Sequence, residues 1–153
     1  MFDIRHDDLS SAAVRELLAL HLAGMNETSP AGSVFALDLS GLQTHDVTVW
    51  SVHSTEGLLG IGALKDLGHG RGEIKSMRTH PDHLCKGVAG ALLDHIVDEA
   101  RGRGMHRLSL ETGSGPPFEA AIRLYQARGF VEGAEFGEYE RSGFNRFLHL
   151  ELR

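Results

Sequence analysis

The sequence contains very little cysteine: Cys85 is the single one in 153 residues. One cysteine excludes an intrachain disulfide and a cysteine-rich zinc site, and it favours a reducing compartment. The start of the chain lacks the charged-then-apolar pattern of a signal peptide. No apolar run approaches the roughly 20 residues that span a bilayer. We therefore expect a cytoplasmic protein with no membrane segment.

Positive charge is also scarce, because the formal net charge is -6 with the ten histidines counted as neutral. This balance argues against a nucleic-acid partner, since such binding depends on a basic surface. The histidines are scattered, and no metal-ligand spacing such as HExxH occurs among them. We expect no metal site, and the sequence leaves a homodimer possible.

Glycine, by contrast, is abundant: 19 of 153 residues, about 12%, against a usual share of about 7%. The length suits one domain, predicted to span residues 1–153. Its core is large enough to be stable without a disulfide or a bound metal. With 41% hydrophobic and 24% charged residues, the composition is that of a globular protein. The glycine surplus predicts many turns.

The hydrophobic pattern of the first half predicts a helix followed by an antiparallel meander. An amphipathic helix begins after Ser10 or Ser11 as N-cap and ends near Gly24, and a loop with a short helix follows over 26–43. Period-two alternation with turn residues between the runs then predicts the meander. Its three strands cover residues 46–53, 58–64 and 72–79.

The second half alternates strands and helices. It comprises a helix over 87–101, a strand over 106–112, a helix over 117–128 and a strand over 145–152. The unit from Glu73 to Thr112 is a βαβ crossover, whose two strands lie parallel. We therefore predict an α/β fold of the α+β type: a mixed sheet with an antiparallel meander, a βαβ crossover and helices on both faces. Ligands should gather at the strand ends, near Thr79 and Thr112.

The turn before the 87–101 helix has the character of an anion site. It reads Leu84-Cys85-Lys86-Gly87-Val88-Ala89-Gly90. Glycine at the start of a helix leaves the free N–H groups uncovered, and the helix dipole attracts anions. Neither a Walker A sequence nor a GxGxxG fingerprint is present. The turn is a candidate pyrophosphate cradle, and a purely structural turn is the alternative.

Two motifs resemble those of the GNAT superfamily of acyl-CoA-dependent N-acyltransferases. Gly87 and Ala89 match the Q/R-x-x-G-x-G/A hallmark, while Leu84 stands where the family has Arg or Gln. The segment 121–130, AIRLYQARGF, is similar to the family's A-x-x-L-Y-x-x-x-G-F signature. The resemblance covers residues 47–152, and the stretch 72–79 also resembles that of small uncharacterised bacterial members. It implies the GNAT fold with acetyl-CoA as co-substrate.

The resemblance also implies how acetyl-CoA is held. The backbone at Met77 and Thr79 would pair with the pantetheine arm, and the amides from Leu84 through Gly90 would hold the pyrophosphate. Phe118 replaces an asparagine that in the family contacts the pantetheine. Cys85 is either a reactive thiol near a helix N-terminus or a small neutral filler. The implied cofactor-binding residues are Met77, Arg78, Thr79, Leu84, Cys85, Lys86, Gly87, Val88, Ala89 and Gly90.

Acetylation of an amine needs a base, because an amine with a pKa near 10.4 is protonated at pH 7. The resemblance implies Glu73 as that base, and Glu111 at the end of the 106–112 strand competes with it. A plain ion pair with Lys75 is the other interpretation of Glu73. Strand alternation puts Glu73, Lys75, Met77 and Thr79 on one face.

A proton donor for the departing thiolate is also implied. Tyr125 matches the family's tyrosine acid, and a core tyrosine is the alternative. Arg78 would bind either a substrate carboxylate or a structural partner. The acceptor pocket is expected between the first helices and the loops at 26–35 and 113–118.

The function implied is transfer of the acetyl group of acetyl-CoA to a primary amine of a small molecule or amino acid, by direct attack in a ternary complex. Acetylation of a protein lysine or N-terminus is the alternative within enzymes. A non-catalytic acyl-CoA sensor and a structural domain with a glycine-rich turn are the alternatives outside them.

Overall fold

The computed structural model describes residues 2–28, 39–137 and 139–152. In chain order the elements are β1 (Asp3–His6), α1 (Ala12–Thr28), α2 (Leu39–Leu42), β2 (Val47–Ser54), β3 (Gly57–Gly68), β4 (Arg71–Thr79), α3 (Val88–Gly102), β5 (Arg107–Thr112), α4 (Glu119–Ala127), β6 (Val131–Glu132) and β7 (Arg146–Glu151). Within these ranges, no helix has the length and apolar character needed to cross a membrane.

The seven strands form one mixed sheet in the order β1-β2-β3-β4-β5-β7-β6. Strands β1 to β4 are antiparallel neighbours, β4 and β5 are parallel, and β7 runs antiparallel to both β5 and β6. Helix α3 is the crossover between the two parallel strands. The predicted meander, crossover and mixed sheet are confirmed.

Each face of the sheet buries its own apolar cluster. On the face that we call the α3 face, the sheet packs under α3 and α4. On the opposite face, the α1 face, it packs under α1 and α2. The α3-face cluster includes Trp50, Leu64, Ile74, Leu92, Ile96, Leu108, Leu110 and Tyr125, and the α1-face cluster includes Leu9, Val14, Leu17, Val49, Ile61 and Ala63.

The first helix begins as predicted but ends later. The Ser11 hydroxyl accepts a hydrogen bond from the Val14 N–H at 3.2 Å, which confirms it as the cap. The predicted end near Gly24 is wrong, because α1 continues to Thr28. A glycine inside a helix costs only about 1 kcal/mol, so it does not by itself end one. Most of the loop predicted over 26–43 lies outside the described residues, and α2 is the short helix predicted within it.

Two short strands have no counterpart in the sequence analysis. β1 lies beside β2, and β6 lies beside β7, so each closes one edge of the sheet. β6 has only two residues, both exposed. β1 contributes only Ile4 to the α3-face cluster and β6 contributes no buried residue, so neither strand shows a hydrophobic period.

A β-bulge interrupts β4. Lys75 lies opposite Ala63 and Arg78 opposite Ile61, so Ser76 and Met77 together face a single β3 residue, Gly62. Ser76 has a left-handed φ of 56°. A β carbon on Gly62 would lie 2.5 Å from the Met77 sulfur, so glycine makes room for the bulged strand.

Candidate active site

The two parallel strands separate before they end. β4 and β5 pair only from Arg71 to Glu73 and from Arg107 to Ser109, although β4 continues to Thr79 and β5 to Thr112. Beyond Glu73 the edge of β4 therefore carries backbone donors and acceptors that no strand in the described part of the chain takes up. We call this space the β4–β5 gap. The backbone at Met77 and Thr79, assigned by resemblance to the pantetheine, lies along it.

The bulge decides which side chains of β4 share a face. Residues directly paired across two strands point to the same side of a sheet. Because Ala63 and Ile61 belong to the α1-face cluster, their partners Lys75 and Arg78 lie on the α1 face. Glu73 bonds to Lys75, so the prediction that these two share a face is confirmed.

The same prediction is wrong for the two residues beyond the bulge. Met77 packs against the α3-face cluster. Thr79 pairs with Gly60, whose β carbon would point at Val88 on α3, 3.0 Å away. The extra residue at Ser76 shifts the alternation by one, which unbroken strand periodicity does not anticipate.

Glu73 is held by two donors on the α1 face. Its carboxylate is buried, with 4% of the residue exposed. The Lys75 ammonium lies 3.0 Å from Glu73 Oε2, and the Tyr139 hydroxyl donates to the same oxygen at 2.5 Å. Lys75 also donates to the Tyr139 hydroxyl oxygen at 2.6 Å. Burial and the Glu73 charge raise the pKa of Tyr139 far above its ordinary value, so its proton stays in place.

Glu111 has a different environment on the same face. Along β5 it alternates with Leu108 and Leu110, which pack on the α3 face. Burial raises the pKa of Glu111 to about 7. A hydrogen bond from Asn145 and the charge of Lys75 act against that rise, while the charge of Glu73 adds to it. A carboxyl group with this pKa exchanges protons near neutral pH.

Tyr125 lies on the other side of the sheet. It is a buried residue of α4 in the α3-face cluster, and its ring packs edge-on against Phe130 with centroids 5.7 Å apart. Burial raises the pKa of Tyr125 to about 12, so the phenol is protonated at neutral pH. The carboxyl groups and this phenol therefore lie on opposite faces.

The N-terminus of α3 opens beside the end of β4. Gly87 has a φ of 83°, and a β carbon placed on it would have nothing within 4 Å. The first helical bond runs from the Ala91 N–H to the Gly87 carbonyl at 3.0 Å. The N–H groups of the three residues before Ala91, 88–90, have no helical acceptor. Lys86 is exposed beside them, so this turn fits a pyrophosphate group.

Two residues in this turn have a structural explanation as well. Cys85 is exposed with a φ of 62°, a left-handed conformation that glycine adopts more easily than other residues. Because its side chain is exposed, it does not fill space in the core. Gly90 is buried, and a β carbon on it would lie 2.8 Å from the Arg128 guanidinium, which pairs with Asp94. Gly90 thus lets α4 approach α3.

Some residues of this site could not be predicted from hydrophobic periodicity or from the family motifs. Tyr139 and Asn145 come from the irregular stretch between β6 and β7, where no hydrophobic period exists. The available signal was the aromatic pair Phe136 and Tyr139, whose rings pack 5.2 Å apart in that polar stretch. No group of three or more metal-ligating side chains occurs in the portion of the chain that the structure describes.

Comparison with known proteins agrees with this geometry. The model of the acetyltransferase (GNAT) family matches residues 14–130. Over 152 residues, 99% of this chain and 96% of the relative, the chain is 47% identical to YedL, an uncharacterised N-acetyltransferase of Escherichia coli K12. It is also 47% identical over 149 residues to YsnE, an uncharacterised N-acetyltransferase of Bacillus subtilis 168, covering 97% of this chain and 99% of that one.

A solved structure from Klebsiella pneumoniae, assigned as an acyl-CoA N-acyltransferase, superposes with a TM-score of 0.84 at 30% identity, covering 100% of this chain and 99% of that one. The chain belongs to the GNAT family of acetyltransferases. It is an N-acetyltransferase, and acetyl-CoA is its acyl donor.

Proposed function

We propose that the protein acetylates a primary amine of a small molecule or amino acid, by direct attack within a ternary complex of enzyme, acetyl-CoA and amine. One observation carries this proposal: a proton acceptor and a proton donor lie on opposite faces of the sheet. The carboxyl groups lie on the α1 face, and Tyr125 lies on the α3 face. We assign the amine to the first face and the thiol to the second, and we expect this reaction in the cytoplasm, with residues 1–153 acting as one domain.

Acetyl-CoA supplies an activated thioester. In our proposal the backbone of Met77 and Thr79 holds its pantetheine arm along the edge of β4, as an added strand would be held. The amides of residues 84–90 and the exposed Lys86 hold the pyrophosphate. Both contacts lie toward the α3 face, where α3 begins.

We propose Glu111 rather than Glu73 as the general base. The ideal base has a pKa near the operating pH, and burial brings Glu111 to about 7. The Glu73 carboxylate, by contrast, is occupied by the Lys75 ammonium and the Tyr139 hydroxyl. In this proposal Glu73 fixes Lys75 and Tyr139 beside the acceptor, and its charge helps to keep the pKa of Glu111 high.

In our proposal Tyr125 interacts with the leaving thiolate. Its pKa of about 12 lies above that of a thiol, about 8.5, so complete transfer of its proton is uphill. A protonated phenol still donates a strong hydrogen bond to a thiolate. We therefore propose that Tyr125 stabilises the departing sulfur by a hydrogen bond, and that the proton reaches this sulfur later from solvent.

The test is release of free thiol from saturating acetyl-CoA across a panel of primary amines, amino acids and peptides. We expect at least one small amine to accelerate release, and Glu111→Gln to lower kcat by roughly 10²- to 10⁴-fold. Glu119→Gln, which changes an exposed carboxylate on α4, should leave the rate unchanged.

Other outcomes of this experiment would indicate a different function or mechanism. Acceleration by peptides alone would indicate protein acetylation. Binding of acetyl-CoA without turnover on any amine would indicate a sensor. An unchanged kcat in Tyr125→Phe would remove Tyr125 from the mechanism.

A further inference from the structure

Among the residues that the structure describes, Arg78 has no charged partner on the α1 face. It is half-buried beside the bulge, and its Nε is buried with no hydrogen-bond acceptor in the described part of the chain. No carboxylate in the described ranges forms an ion pair with it. Other arginines do have such partners, as Arg103 has with Glu99 and Arg128 with Asp94. A buried guanidinium donor normally has an acceptor, so Arg78 is set to receive one.

The charges around Arg78 leave its positive charge uncompensated. On β4 the Glu73 carboxylate and the Lys75 ammonium cancel each other at 3.0 Å. Across the gap, Glu111 is about half protonated at pH 7, because its pKa is about 7. With Arg78 counted as +1 and Glu111 as about -0.5, the described part of the α1 face beside the gap keeps a net positive charge of about one half at pH 7. This charge favours an anionic group on the molecule that binds there.

The position of Arg78 relates that anion to the reaction. Arg78 follows Met77, whose backbone lies on the β4–β5 gap, but its side chain lies on the face opposite Met77. Glu111 lies on the same α1 face, at the end of the neighbouring strand. An acceptor beside the gap can thus present its amine to Glu111 and an anionic group to Arg78.

We propose that Arg78 binds the carboxylate of the acceptor, so that the substrates are amino acids with a free carboxylate rather than simple amines. This inference rests on the proposed function. The planar guanidinium matches a carboxylate with two parallel N–H···O bonds, and such binding discriminates against molecules that lack the acid.

The experiment compares each amino acid with its own carboxamide, which keeps the amine and the side chain but removes the negative charge. We measure kcat/KM by thiol release for the wild type, Arg78→Met and Arg78→Lys. Arg101→Met, which changes an exposed arginine at the end of α3, serves as the matched control. We also measure thermal stabilisation by each amino acid in the presence of CoA, which reports binding without turnover.

We expect the wild type to prefer the acid over the amide by roughly 10- to 100-fold, as for one charge-assisted contact. Arg78→Met should remove that preference while keeping activity on the amide and stabilisation by CoA. Arg78→Lys keeps the positive charge but lacks the two parallel N–H donors of a guanidinium. It should therefore retain a small part of the preference for the acid. Arg101→Met should behave as the wild type.

The two proposals fail in distinguishable ways. Turnover of amines with equal kcat/KM for acid and amide overturns the role of Arg78 and leaves the acetyltransferase mechanism intact. If Arg78→Met loses the same fraction of kcat/KM on the acid as on the amide, the role of Arg78 is also overturned. Absence of turnover on every amine overturns the proposed function, and the role of Arg78 then falls too if no amino acid stabilises the CoA-bound wild type more than its amide does.

Discussion

Among single residues, Glu73 and Glu111 show how different surroundings give two carboxyl groups on one face different properties. Glu73 has an ammonium and a phenol on one oxygen, while burial dominates at Glu111. The sequence identifies both as candidates but does not rank them. Ranking them requires the position of Tyr139, which lies 66 residues from Glu73 in the chain.

The raised pKa of Glu111 has a consequence for stability. The folded protein holds this proton more tightly than the unfolded chain, whose glutamate has a pKa near 4.5. Stability therefore falls as the pH rises from about 4.5 to about 7, and the loss then persists at higher pH. We expect Glu111→Gln to raise Tm relative to the wild type at pH 8, and by clearly less at pH 5. Thermal unfolding at both values measures this, and an equal difference at the two values would contradict it.

Cys85 gives a second prediction for a single residue. A left-handed φ costs an ordinary residue about 1–2 kcal/mol, whereas glycine loses about 0.5–1 kcal/mol more entropy on folding. We expect Cys85→Gly to gain about 0.5–1 kcal/mol over Cys85→Ala, a rise of about 1–4 °C in Tm. Both variants should keep full activity if the thiol takes no part in the reaction. A lower Tm for the glycine variant than for the alanine variant would refute the strain argument.

At the level of elements, β4 carries residues that we assign to both substrates: Met77 and Thr79 to acetyl-CoA, and Arg78 to the acceptor. Period-two alternation applied to residues 71–79 predicts a straight strand, although the apolar residues Ile74 and Met77 lie three positions apart. The bulge becomes visible only in the register with β3, where Gly62 faces two residues. The strand itself, and its parallel pairing with β5, could be predicted because their hydrophobic runs and the helix between them are local signals.

Deletion of Ser76 tests what the bulge does. Without this residue Lys75 still lies opposite Ala63 and Arg78 opposite Ile61, so every side chain keeps its face. The straightened edge of β4 should then lie closer to β5 and close the gap. We expect the deletion variant to fold and to lose thermal stabilisation by acetyl-CoA, while Ser76→Gly, which keeps the bulge, retains it. Full stabilisation of the deletion variant would show that the bulge is not needed.

For the whole molecule, two clusters on opposite faces separate the two halves of the site. Helices α3 and α4 bring the amides of residues 84–90 and Tyr125 to one face, and the carboxyl groups occupy the other. The fold class and the glycine turn could be predicted from the sequence, because periodicity and helix starts are local. The stretch 133–145 could not, since its contacts with Glu73 and Glu111 depend on how distant strands are arranged.

Binding of acetyl-CoA should stabilise the whole molecule. At about 100 times its Kd a ligand adds about 2.7 kcal/mol, which for a chain of this length raises Tm by roughly 5–10 °C. We expect such a rise, and a smaller one when Lys86 is replaced by methionine. No rise at saturating acetyl-CoA would contradict the donor site.

If Glu111 takes the proton from the amine, the pH dependence of kcat must report the ionisation of Glu111. With saturating acetyl-CoA and acceptor, we predict that kcat of the wild type rises about tenfold per pH unit at low pH and levels off near pH 7. The Glu111→Gln variant should lose this change of slope in the pH profile, whereas the Glu73→Gln variant should keep one. A change of slope that persists in Glu111→Gln and disappears in Glu73→Gln would show that Glu73, not Glu111, is the base.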